Sequence, residues 1–262
     1  MTIGETWGLL VLPDRGYTVA VVVAAAFVGA FVKGVTTLGL ALFAVPLISL
    51  FLDVQTAILS LFLSKCLSDV AMLMNARKGF SWRYSTRIAS FAIFGLAAIP
   101  IATLLLAEAK GPWLHLFLAA SVLIFIAFKL KPHPPAAPYV RDTRSSWGFG
   151  FAAGASQGLT GAAGPYVAMY LYGLGLTTNE FVFLSSVIYI LFDVSQLAAI
   201  LYTGLYDRTR LLYALLTIAP VMVGTYVGIH VRGRLNDRQF RNALLGILAA
   251  SAVGLIYRAV RM

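Results

Sequence analysis

Residues 17–39 read YTVAVVVAAAFVGAFVKGVTTLG: an apolar run reaches Val32, a lone cation follows at Lys33, and glycines and threonines occupy positions 34, 36, 37 and 39. The run approaches the length of about 20 residues that a helix needs to cross a hydrocarbon core. Apolar and polar side chains do not alternate between Val19 and Phe31, so the strands of an outer-membrane barrel are excluded. With 17–33 as the first, similar segments recur at 36–52, 54–75, 88–108, 112–130, 147–163, 165–176, 178–203, 210–230 and 240–258. Hydrophobic residues make up 60% of the chain and charged residues only 11%, with a mean hydropathy of +0.86. Such a composition cannot cover a water-facing surface, which excludes a cytosolic globular enzyme. The fold class expected is an all-α polytopic membrane protein.

Ten segments divide into five and five. The divider, 131–146, carries Pro132, Pro134, Pro135 and Pro138 and favours an extended strap over a helix. The organisation expected is therefore a membrane repeat over 1–130, a Pro-rich cytoplasmic linker over 131–146 and a second repeat over 147–262. Cations concentrate at Arg77, Lys78, Arg83 and Arg87, at Lys129, Lys131, Arg141 and Arg144, and at Arg232, Arg234, Arg238 and Arg241. Placing these clusters in the cytoplasm gives the halves opposite topology and puts both termini outside. Arg258 and Arg261 at the outer end run against that orientation. The first pair in each half is short and glycine-interrupted, and reads as broken or re-entrant.

The net charge of +10 comes from 20 Lys and Arg against 10 Asp and Glu. These cations sit at the ends of apolar segments, so they read as topology signals and headgroup contacts, and nucleic acid is not an expected partner. Cys66 is the only cysteine, which excludes an intrachain disulfide. His115, His133 and His230 lie far apart, so no metal site is expected. Glu5, Asp14 and Arg15 leave the first segment without the positive leader of a signal peptide, and it is expected to stay in the mature chain.

A shift of 124 residues lays Phe27 on Phe151, Gly34 on Gly158, Thr36 on Thr160, Ala44 on Ala168, Leu47 on Leu171, Leu67 on Leu191, Asp69 on Asp193 and Val70 on Val194. Weak internal similarity between halves of opposite topology marks inverted-repeat secondary transporters, which bind substrate near the midplane at broken helices. The repeated motif is Lys33-Gly34-Val35-Thr36-Thr37-Leu38-Gly39 in the first half and Gln157-Gly158-Leu159-Thr160-Gly161-Ala162-Ala163-Gly164-Pro165 in the second. Two readings stand side by side. Glycine turns opening helices expose amides that attract an anion, or the glycines serve close helix packing.

Charged side chains inside an apolar span need a partner or a function. Lys65 and Asp69 are four apart and can pair along one helix. Asp193 has Tyr189 where Asp69 has Lys65, so it either bridges to another helix or carries a proton. Lys33 either snorkels to an interface or supplies charge to an anion, with Gln157, Thr36, Thr37 and Thr160 as hydrogen-bond donors. Gly34, Gly158, Gly161 and Gly164 provide the close backbone approach, and Gln196 and Ser156 are further candidates for the same cavity.

These glycine motifs, the prolines soon after them (Pro46, Pro165), the Asp late in the next span and the overall length resemble the TauE/SafE sulfite exporter family of small-anion permeases. The resemblance covers nearly the whole chain. Family members usually carry a richer Gly-x-Gly-Gly turn, where this chain has Thr37, Leu40 and Ala163. What the resemblance implies is a secondary transporter moving sulfite, sulfoacetate or another organosulfonate or sulfur oxyanion across the inner (plasma) membrane. The expected partners are the anion, the lipid bilayer, a coupling proton and, as a further candidate, a second copy of the chain. No nucleotide-binding loop and no His-Glu-x-x-His, Gly-x-Ser-x-Gly or paired-Asp motif is present, so neither a cofactor nor catalysis is expected. The competing functions are a membrane scaffold or assembly factor, a permease for a non-sulfur organic anion, and an intramembrane enzyme.

Overall fold

The computed structural model describes residues 16–76, 85–109, 113–130, 143–232 and 237–261. Within them the chain forms α-helices and no strand: α1 (Gly16–Thr36), α2 (Leu40–Ile48), α3 (Val54–Asn75), α4 (Ser85–Glu108), α5 (Trp113–Leu130), α6 (Thr143–Thr160), α7 (Gly164–Gly173), α8 (Thr178–Thr203), α9 (Arg208–Val231) and α10 (Asp237–Arg261). The prolines of the expected linker lie outside the described residues, as do Arg77, Lys78, Arg83, Lys131, Arg141 and Arg234. The last four linker positions, 143–146, are the first turn of α6, and the buried Ser146 hydroxyl lies 2.7 Å from that of Tyr170 on α7.

Helices α1, α3, α4, α8 and α9 are each long and apolar enough to cross a membrane. The short segment of each first pair is its second member: α2 has 9 residues and α7 has 10, a rise of roughly 15 Å, about half a hydrocarbon core. The first segment is longer than expected, because α1 continues through Lys33 and Gly34 to Thr36. After it the chain folds back, and α2 packs on the second half of α1 where Gly29 faces Leu40 and Ala44.

Local chemistry sets several helix ends. Asp53 accepts a hydrogen bond from the Thr56 amide at the start of α3, Asp207 does the same for Arg210 at the start of α9, and Thr177 and Glu180 form a reciprocal capping box on α8. Gly204 closes α8 in a left-handed conformation. Helix α9 is interrupted at Thr217, where Pro220 withholds the amide that would bond Leu216.

The closest packing is helix against glycine. On α6, Gly150, Gly154 and Gly158 face the backbone of α4; a Cβ on Gly154 would lie 2.2 Å from the Gly95 carbonyl. On the other side α1 meets α9, where Gly34 faces Thr225 and Gly228, and Gly224 faces Phe27. The shift of 124 maps these two pairings onto each other, and likewise α4 on α8 maps to α9 on α3. Helices α3 and α8 pack together, as do α5 and α10.

Candidate functional site

Half-way along the packed pair α3 and α8 lies a cluster of four charged side chains, all buried: Lys33, Lys65, Asp69 and Asp193. Lys33 Nζ stands 2.8 Å from Asp69 Oδ1, and Lys65 Nζ is 3.5 Å from Asp69 Oδ2, one turn further along α3. Lys65 also donates across the bundle to Asp193 Oδ1. Gln157 Nε2 donates to the same Asp193 oxygen at 3.1 Å and to Gln196 Oε1 at 2.9 Å. The amide of Gln196 returns a bond to the Gln157 carbonyl.

The 124-residue shift also relates these contacts to one another. Lys33 on Asp69 in the first half corresponds to Gln157 on Asp193 in the second, so the residue near the end of the first helix reaches the aspartate of the third in both. The charges differ between halves: both cations come from the first, whereas its counterpart offers Gln157 and Tyr189 at the equivalent positions. Lys65 is the element that joins the two aspartates. Sequence spacing showed its bond to Asp69 but not its bond to Asp193, which lies 128 positions away. Two lysines and two aspartates bring the formal charge of the cluster to zero. Asp193 Oδ2 is buried with no hydrogen-bond partner among the described residues, whereas each oxygen of Asp69 faces an ammonium group.

Above the cluster the starts of α2 and α7 line one small cavity together with Lys33, Lys65, Asp69 and Tyr189. Its free space is of the order of a water molecule, so the site is closed down in this conformation. Unlike α3, α8 and α9, neither short helix has a side-chain N-cap: Gly39 and Ala163 occupy those positions. At α2 the first-turn amides precede the first intrahelical bond, from Phe43 to the Gly39 carbonyl, whereas at α7 Pro165 has no N–H and Tyr166 already bonds the Ala163 carbonyl, so Gly164 carries the donor at that positive dipole end. Pro165 sits at the first turn of α7, as the motif implied.

The individual glycines and threonines divide between two tasks. Gly34 and Gly158 lie inside α1 and α6 and do not shape the turns; a Cβ on Gly158 would come within 2.5 Å of Ala102 and 2.7 Å of the Ile99 carbonyl. The turns are made by Thr37 and Gly161, which occupy equivalent positions and both have φ of 70°. Thr37 is a β-branched residue in a conformation that favours glycine. It is held there by Arg232, whose guanidinium donates to the Gly34 and Val35 carbonyls and to the Thr37 hydroxyl. Thr36 accepts from the Leu38 amide and donates back to Val32, and Thr160 donates to the Ser156 carbonyl. Both hydroxyls are thus engaged with their own turns. Ser156 bonds the Ala162 carbonyl and Gln157 Oε1 accepts from the Ala163 amide, fixing the second turn. Gly164 opens α7, 3.8 Å from the Tyr189 hydroxyl as measured from the Cβ it lacks.

Sequence reasoning missed a second polar seam. Ser64 and Ser68 on α3 pair with Thr217 and Thr225 on α9 at 3.1 and 2.9 Å, and Thr217 also donates to the Ser60 carbonyl. The four-residue spacing of Ser60, Ser64 and Ser68 was the available signal.

Comparison with known proteins adds one finding: the family model described as Sulfite exporter TauE/SafE matches residues 21–255. The chain belongs to the TauE/SafE family. The match spans both halves, including every residue of the charged cluster and both turns. Membership agrees with a multi-pass membrane transporter. Searches of curated proteins and of solved structures each returned no match.

Proposed function

We propose that this TauE/SafE protein is a secondary permease that binds a small sulfur oxyanion or organosulfonate between the starts of α2 and α7, with Lys33 supplying charge. The observation that carries this reading is the pair of uncapped helix starts facing one cavity above two buried lysines. An anion there meets unsatisfied amides and ammonium groups in a setting of low dielectric. A scaffold has no use for four buried charges shared between its halves.

Charge balance supports proton coupling. The resting cluster is neutral, so a monovalent anion adds an uncompensated charge to a buried site. A proton on Asp193 restores neutrality, and its unbonded Oδ2 is the atom suited to take it. In this reading anion and proton load together and move together, and the two halves rock about the α3–α8 pair to expose the site to either side. The cationic loops face the cytoplasm and both termini face outward in the inner membrane.

The test is a thermal-shift screen of the purified protein against sulfite, sulfate, thiosulfate, sulfonates and carboxylates, since a ligand bound only to the folded state raises the melting temperature by mass action. Sulfite or a sulfonate is expected to stabilise the protein. In Lys33→Met affinity is expected to fall roughly tenfold or more, as loss of one charge-assisted contact implies. Unchanged affinity in a folded Lys33→Met protein contradicts the site.

A further inference from the structure

Tyr189 is 4% exposed, and its hydroxyl is fully buried with no hydrogen-bond partner among the described residues. A buried hydroxyl without a partner is costly and calls for a ligand or a water. Its surroundings favour a ligand. The side chain lines the cavity between the two helix starts, and its oxygen lies beside Gly164, the first residue of α7. Lys65 Nζ stands 5.8 Å from the ring centroid, which anchors the ring by a cation–π contact. By the repeat, Tyr189 occupies the place of Lys65 itself.

Resting on the anion site above, we propose that the Tyr189 hydroxyl is a direct hydrogen-bond donor to the bound anion. The anion then takes charge from the first half, through Lys33 and Lys65, and a neutral oriented donor from the second. A single O–H donor of fixed direction suits an oxygen acceptor on a sulfur oxyanion and does less for a spherical halide.

Tyr189→Phe separates this role from a structural one, because the two predict opposite signs. Removing a hydroxyl that has no partner leaves the melting temperature of the ligand-free protein unchanged or raised, while the dissociation constant for sulfite rises about tenfold. The constant for chloride, where measurable, changes less. A hydroxyl with only a structural partner gives the reverse: a lower melting temperature without ligand and unaltered sulfite binding, which overturns the proposal. Lys33→Met measured in parallel keeps the failures apart. If Lys33→Met loses sulfite affinity and Tyr189→Phe does not, the donor role falls and the anion site stands. If the unsubstituted protein responds to neither sulfite nor methanesulfonate, both fall.

Discussion

Replacing Asp69 with Asn removes one of four charges from a network in which no member reaches bulk water. Lys65 keeps its bond to Asp193, but Lys33 loses the charged carboxylate at 2.8 Å and is left with neutral acceptors, among them the Lys65 carbonyl at 3.4 Å. Lys33 is therefore the residue left uncompensated, although spacing along α3 points to Lys65. Breaking a buried ion pair by deleting one partner costs about 3 to 5 kcal/mol. For a chain of this size each kcal/mol lowers the melting temperature by about 2–4 °C, so the drop should be on the order of 10 °C. The double variant Lys33→Met/Asp69→Asn removes both charges and should recover most of the loss. Unfolding in detergent is measured for four species: the parent, Asp69→Asn, Lys33→Met and the double variant. Two results refute the pairing: a single variant that melts within a degree of the parent, or single effects that add in the double variant.

Asp193→Asn preserves the shape and one acceptor of the side chain, so sulfite binding should persist while accumulation driven by a pH gradient is lost; gradient-driven transport surviving in this variant removes the proton role. Gly158→Ala places a methyl 2.5 Å from Ala102 Cβ and 3.0 Å from the Thr103 amide, and should destabilise by about 3 kcal/mol. Gly148→Ala on the same helix meets nothing within 4 Å and should be neutral or slightly stabilising, so equal effects at the two sites contradict the α4–α6 contact. Cysteines placed at positions 2 and 262 should both react with an impermeant reagent in intact cells, and protection of both would invert the orientation.

The ten segments were readable because the solvent for this fold is lipid: each helix must be apolar over most of its length, and the breaks stand out as Gly, Pro or charge. Asp53, Asp207 and the Thr177–Glu180 pair cap helix starts, a local signal that the reading of the sequence left unused. The end of α1 was harder, since a glycine serves equally for a turn and for close packing. Gly34 does the second, and only the approach of α9 decides it. The charged residues of the site were visible individually, as costly groups in apolar runs. Their pairing was not, because Lys65 meets Asp193 and Lys33 meets Asp69 through contacts with no local spacing. The 124-residue shift brought Asp69 onto Asp193 but could not show that Gln157 reproduces the Lys33 contact. Tyr189 was noticed only as the counterpart of Lys65, since a tyrosine in an apolar helix is unremarkable until its hydroxyl proves to have no partner.

Uptake of radiolabelled sulfite into proteoliposomes, compared between the parent protein and Lys33→Met, tests the central claim most directly. The parent should carry out saturable flux that an inward proton gradient accelerates, and Lys33→Met, folded by its melting curve, should lose most of that flux. Parent flux no greater than that of empty liposomes, or equal flux in the two proteins, would contradict an anion path through the charged cluster.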